Sequence, residues 1–272
     1  MARAAIAELF RYGRLEISEV RAWLETAPLD TLDDADHCAL FEFLRYLISG
    51  EVRREKFEKR KEMIRLLLSH GVKANSCGHL GRPLSFCATP AEADLLLDAG
   101  ARIDAETQIQ YGYLGITETV LSEVLRRTRW HSAPAIDLAR SFDLVRFFVK
   151  HGADFNAPNS QGVSPARLAH QDLHFTNLII QDRQEANPEH RVDHLCQVAQ
   201  FFDDVRDAGG WAAYVRAPRI GLVRLRALCI HGRAAPPADK VLERLFSTRL
   251  PNECFWNVLA FWRSSREIFP EY

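Results

Sequence analysis

A chain of 272 residues with 47% hydrophobic and 26% charged residues has the balance of a folded protein with a sizeable core, which excludes extensive disorder. Thirty-five Lys and Arg against 36 Asp and Glu leave a formal charge of -1, so no global field draws the chain to nucleic acid or anionic lipid. No apolar run approaches the roughly 20 residues of a membrane span, the start lacks the apolar core of a secretory signal, and the cysteines lack a disulfide-framework spacing, so a cytoplasmic or nuclear location is expected.

From the N-terminus, Val20 to Asp30 reads as an amphipathic helix end closed by Pro28. His37 to Leu44 opens the next helix, and the charged stretch Glu51 to Lys61 lengthens that unit. Three segments then align without gaps: Ile64 to Asn75, Ala93 to Asp104 and Val145 to Asn156. Each is an apolar helix end, two linking residues, a glycine, a small residue and a polar-apolar-polar exit. The runs Leu66-Leu67-Leu68, Leu95-Leu96-Leu97 and Phe147-Phe148-Val149 suit helices buried between neighbours on both sides. Gly71, Gly100 and Gly152 supply the left-handed conformation that ends a helix without a Cβ clash. Asn75, Asp104 and Asn156 then begin turns.

A helix opening follows each of these ends. Gly162-Val163-Ser164-Pro165-Ala166-Arg167-Leu168-Ala169 places Ser164 as a cap and Pro165 at the first helical position, where a missing N–H is harmless. Degenerate versions run from Gly81 to Ala88 and from Gly115 to Ser122. The combination resembles the ankyrin repeat, whose unit opens Gly-x-Thr-Pro-Leu-His-x-Ala and closes Leu-Leu-x-x-Gly-Ala. The motif's His is Ser85, Val120 or Arg167 here. The intervals of 29 residues from Gly71 to Gly100 and 52 from Gly100 to Gly152 depart from the repeat's period of about 33, and the extra residues of the second are expected near Arg126 to Pro134. The resemblance implies an all-α fold: an ankyrin-repeat solenoid of helix-turn-helix units over residues 1–185, about five of them, with a C-terminal helical capping domain over 186–272.

Beyond Asn187-Pro188, Val192, Leu195, Ala199, Phe202 and Val205 keep helical spacing until Gly209-Gly210, a helix suited to sealing the last repeat. From Trp211 onward 10 basic and 5 acidic residues give this tail a charge of +5, leaving -6 on the rest, a division that suits docking of the two. Three helices are expected, around Leu222 to Cys229, Val241 to Phe246 and Leu250 to Trp262. The last string is similar to the opening of an F-box, and Pro218 to Cys229 followed by Leu250-Pro251 is similar to a SOCS box. Either resemblance implies a substrate receptor of a cullin-type ubiquitin ligase, docking its adaptor through Leu250, Pro251, Phe255 and Val258.

Candidate chemistry is sparse. Cys77-Gly78-His79 with Cys87, and His190-x-x-x-His194-x-Cys196, offer metal ligands but no paired Cys-x-x-Cys framework, so buried thiols and a solvated His pair are expected, with no metal or cofactor. No nucleophile elbow, phosphate loop or His-Glu-x-x-His helix occurs, and Asp33-Asp34-Asp36 and Asp203-Asp204 lack calcium-loop spacing, so no enzyme is expected. Arg216, Arg219, Arg224, Arg226 and Arg233 interleave with Leu222, Leu225 and Cys229, which predicts a half-buried face with its charges outward and argues against a nucleic-acid surface.

What remains is binding: a non-enzymatic protein-protein interaction module or scaffold subunit, holding a protein partner on a concave wall of short helices and fingers. Tyr111, Tyr113, Arg126, Arg129 and Trp130, with Asn159, Gln161 and Arg167, are the candidate contact residues, because Arg, Trp and Tyr dominate interface energetics. No small-molecule substrate, nucleic acid or membrane is expected.

Overall fold

The computed structural model describes residues 17–26, 29–46, 54–77, 81–104, 106–111, 114–130, 135–171, 188–247, 249–262 and 264–268. These residues are mostly helical, with one two-stranded sheet among them. Contacts divide the chain into two compact units, one running to Phe202 and one from Asp203 to Pro270.

In the first unit the order is α1 (Ile17–Thr26), α2 (Asp34–Tyr46), α3 (Arg54–Ser69), a 3-10 turn (Pro83–Phe86), α4 (Pro90–Asp98), β1 (Glu106–Tyr111), β2 (Leu114–Thr119), α5 (Val120–Trp130), α6 (Ala135–Lys150), helical residues 165–171 (α7) and most of α8 (Pro188–Asp207). Helix α3 touches α1 and α4, and α4 touches α6. The 3-10 turn lies against both α2 and α5. Within pairs, α2 meets α3, the 3-10 turn meets α4, and α5 meets α6. Helix α8 joins through rings: Phe142 meets Phe201 edge-on at 5.7 Å, and Phe155 stacks on Phe202 at 5.1 Å.

The aligned helix ends are alike in geometry. Val72, Ala101 and Ala153 donate their N–H groups to the carbonyls of Leu67, Leu96 and Phe148 at 3.1, 2.9 and 2.9 Å. The preceding glycines have φ of +83°, +88° and +97°. This closure satisfies carbonyls that the last helical turn would leave orphaned. Leu67, Leu96 and Phe148 are themselves buried, so the apolar run and its stop signal act on one spot. Helix α8 ends the same way, Gly210 donating to Val205 after Gly209.

The openings differ from the sequence reading. Helix α2 starts at Asp34, capped by Asp33 (Asp36 N to Oδ1, 2.8 Å), three residues ahead of His37. Helix α5 starts at Val120, capped by Thr119 (Ser122 N to Oγ1, 3.2 Å), rather than in the Gly115 to Ser122 register. The reason is the hairpin: β1 and β2 pair antiparallel from Glu106 with Thr119 to Tyr111 with Leu114, which commits Thr117 and Glu118 to a strand. The finger is also where part of the extra length lies. Twenty positions separate Gly100 from Val120, against 12 from Gly71 to Pro83 and 13 from Gly152 to the start of α7. Ser164 does cap α7, accepting from Arg167 N at 3.3 Å.

The second unit holds α9 (Trp211–Ile230), α10 (Lys240–Phe246) and α11 (Asn252–Phe261). Helix α9 runs through Pro218, which has no N–H for the carbonyl of Tyr214. Arg266 supplies a donor instead: its Nη1 lies 2.7 Å from that oxygen, and its guanidinium sits 4.0 Å from the centre of the Tyr214 ring. Two of the arginines expected to point outward turn inward. Buried Arg226 donates to the carbonyls of Leu245 and Leu250 and covers the Phe255 ring at 4.4 Å. Arg219 donates to Trp262 O at 2.7 Å and pairs with Glu267 at 3.0 Å. Short helices expose many terminal carbonyls, and a planar five-donor guanidinium can satisfy several at once.

Gly152 has open space around it, so its substitution tests backbone conformation alone. Gly152→Ala should lower unfolding stability by about 1 kcal/mol in urea titration with the helical circular dichroism unchanged. Gly152→Asn should cost less, since Asn tolerates the left-handed region.

Candidate functional site

Of the candidate contact residues, the structure brings Arg126 and Asn159 together. Tyr111 ends β1 opposite Leu114, while its side chain, Tyr113 and the side chains of Arg129 and Trp130 lie outside the described residues. Arg126 and Asn159 converge on one buried carboxylate. Glu118 is fully buried, its Oε1 forms an ion pair with Arg126 Nε and accepts from Asn159 Nδ2 at 3.4 Å. Its Oε2 has no hydrogen-bond partner among the described residues. Burial pushes the Glu118 carboxyl above its ordinary range, opposed by the charge of Arg126 and by hydrogen bonds from Arg126 and Asn159.

Arg126 and Asn159, both half-buried, therefore brace this carboxylate, because a buried carboxylate left without a countercharge is strongly destabilising. Asn159 also holds the tip of its own finger, its Oδ1 accepting from Gln161 N and Val163 N at 2.9 and 3.0 Å. Gln161 and Arg167 are exposed.

A second buried pair has no counterpart in the sequence reading. Arg60 and Glu92 are each at most 1% exposed and bond through two parallel contacts, Nε to Oε1 and Nη2 to Oε2, both 2.7 Å. Arg60 Nη2 also reaches Phe86 O at 3.1 Å, and Glu92 Oε2 accepts from Ala88 N at 2.8 Å. One guanidinium thus ties together α3, the 3-10 turn and α4. The Thr89-Pro90-Ala91-Glu92 string signals the helix start, with Thr89 Oγ1 accepting from Glu92 N at 3.3 Å. Nothing local marks Arg60, which sits in a charged run that reads as solvated.

Other polar joints repeat this role. Arg140, buried, stands 4.1 Å from the centre of the Phe57 ring, joining α6 to α3. Asn75 accepts from Arg102 N through its side chain at 3.2 Å and from Arg82 Nη1 through its carbonyl at 2.9 Å, so successive fingers are linked. At Gly81, φ is +128° and an added Cβ would come within 2.5 Å of the Glu123 carboxylate and 2.7 Å of Ser85 Oγ. Cys38 Sγ approaches the Gly81 carbonyl at 3.2 Å. Three elements close on that glycine.

The described candidate metal ligands differ in their surroundings. His194 is buried while Cys196 is exposed, which overturns the solvated His pair as far as His194 is concerned; the side chain of His190 lies outside the described residues. Burial lowers the His194 imidazole to a pKa of about 4, and its Nε2 has no hydrogen-bond partner among the described residues. Cys87 is buried and Cys77 half-buried, with Gly78 and His79 outside the described residues. Among the described residues no group of three or more His, Cys, Asp or Glu could hold a metal ion.

In the second unit Pro251 and Val258 are exposed and Leu250 is half-buried. Phe255 is buried, packed edge-on against Phe246 at 6.1 Å and beneath Arg226, so it holds α11 in place and offers nothing to an adaptor. No described helix is long and apolar enough to cross a membrane.

Removing one member of the Arg60–Glu92 pair strands a buried charge. Arg60→Met should cost about 3–5 kcal/mol by urea unfolding, and Arg60→Met with Glu92→Leu should recover much of that loss. The His194 imidazole is neutral in the folded protein down to pH of about 4, against 6.5 ordinarily. Its contribution is complete above pH 6.5 and is lost as pH falls toward 4, reaching about 3 kcal/mol. His194→Leu should reduce that slope, leaving His37 and His151, also lowered, to act in the same direction and the raised Glu118 carboxyl to act in the opposite one.

No protein-family model matches the chain, and no curated protein matches it.

Proposed function

We infer that the chain is a non-enzymatic protein-interaction module built from degenerate ankyrin repeats. The observation that carries this reading is an alternation. The opening elements α2, the 3-10 turn and α5 touch one another in chain order, while the glycine-closed helices α3, α4 and α6 do the same. Such ordering supports a solenoid, in which each unit's apolar face is covered only by the next. Helices α1 and α8 serve as its ends. The surface used for binding is the finger side, with Tyr111, Tyr113, Arg129, Trp130, Gln161 and Arg167 as contacts and Arg126 and Asn159 as the braces beneath them. The function is affinity for a protein partner in the cytoplasm or nucleus.

A second reading has its own support. Every large apolar side chain that is exposed among the described residues lies between Ile220 and Ile268. That concentration favours a docking role for the second unit, as the substrate receptor of a cullin-type ubiquitin ligase engaging its adaptor through Leu250, Pro251 and Val258.

Affinity capture of the tagged full chain, with mass spectrometry, tests both. Under the first reading, Tyr113→Ala with Trp130→Ala, combined with Gln161→Ala and Arg167→Ala, removes a reproducible partner and leaves the melting temperature unchanged. A lowered melting temperature with the same partners rejects the interface role. Under the second, a cullin and its adaptor are recovered and disappear with Val258→Glu.

A further inference from the structure

The second unit carries an open groove of about 670 Å3 between α9 and α11. Ile220 and Val223 from α9, with Trp256, Leu259 and Ala260 from α11, make its floor. Trp256 and Ile220 are 53% and 47% exposed, so this apolar surface is left to water. Leu250, Pro251 and Val258 do not line it, and it is independent of both readings above.

The rim is cationic. Arg216, Arg219 and Arg224 line the groove and no carboxylate does. Arg219 is held by Trp262 O and Glu267. Arg216 and Arg224 are exposed and make no hydrogen bond or ion pair among the described residues. They stand eight positions apart on α9, roughly 12 Å along its axis, with Ile220 midway between them.

We propose that this groove seats an amphipathic helix of a partner protein whose apolar ridge is flanked by carboxylates. Charge complementarity sets the flank: two guanidinium groups without anions beside an apolar floor call for two carboxylates on the occupant. The backbone sets the form. Groove walls made of two helices offer an extended peptide no strand edge to join, whereas a helix packs its ridge between two others. Acidic residues seven or eight positions apart on the incoming helix span about 10–12 Å, matching Arg216 and Arg224. A nucleic acid would meet the same arginines, but Ile220, Val223, Leu259 and Ala260 give its bases only Trp256 to stack on.

The test is selection from a displayed library of random peptides against the full-length protein. Enriched sequences should place Leu, Ile, Phe or Met at helical spacing with Asp or Glu on the flank two turns apart. Trp256→Ala should weaken the best peptide about thirtyfold. Arg216→Glu with Arg224→Glu should abolish its binding and transfer preference to the same peptide with Lys in place of its acids. All three side chains are exposed, so circular dichroism and melting temperature should match the parent and keep a loss of binding interpretable. The proposal is overturned by no enrichment, by enriched peptides without acids or helical spacing, or by binding that survives these substitutions. A labelled uridine oligonucleotide that displaces the peptide would overturn it in favour of nucleic acid.

Discussion

A helix covered on both sides has to stop abruptly, because any further turn would run into the path of the chain returning to the next element. In the first unit this constraint falls on Gly71, Gly100 and Gly152, each placed just after an apolar run whose central residue is buried. The left-handed backbone there lets the next N–H fold back on the helix and sends the chain out sideways. The fingers, the hairpin among them, begin where those glycines release the chain. The candidate binding surface is thus a consequence of how the buried helices end.

Apolar stacking by itself leaves the relative setting of neighbouring elements loosely specified, since one aliphatic surface slides over another at little cost. Directional contacts remove that freedom. Arg60 fixes α3 to the 3-10 turn and to α4, Arg140 fixes α6 to α3 through Phe57, and Glu118 fixes the hairpin to α5 and to the following finger. A buried ion pair adds little net stability over a well-packed apolar substitute, so its effect here is geometric. Under the proposed function, fingers held in this way lose less conformational entropy on meeting a partner. The second unit uses the same residue type for a different purpose. Arg219, Arg226 and Arg266 close backbone carbonyls that its short helices and Pro218 leave open.

Much of the first unit was legible in the sequence because its determinants are local. The spacing of apolar residues and the glycines after them require only the few neighbours of each residue to act, and the capping of α7 by Ser164 is likewise settled within four residues. Helix starts at α2 and α5 were misplaced by two or three residues, for Asp33 competes with nearby polar residues as a cap, and at Thr119 the hairpin decides where the strand ends and α5 begins. The three helices of the tail were visible, but the first was expected only around Leu222 to Cys229, whereas α9 begins at Trp211 and runs through Pro218.

The sequence by itself determined that the chain is predominantly helical and where its buried helices end, since periodicity and left-handed glycines act over a single turn. Tertiary structure alone decided which charged residues are inside. Arg60 among the lysines and glutamates of its helix, Arg226 among the arginines of the tail and Glu118 in a polar strand look like surface residues in a linear reading. Each is held inside by partners more than one helical turn away in sequence: Glu92 for Arg60, the Leu245 and Leu250 carbonyls for Arg226, Arg126 and Asn159 for Glu118. Burial of a charge depends on such partners arriving from elsewhere in the chain, and that is information only the folded arrangement contains.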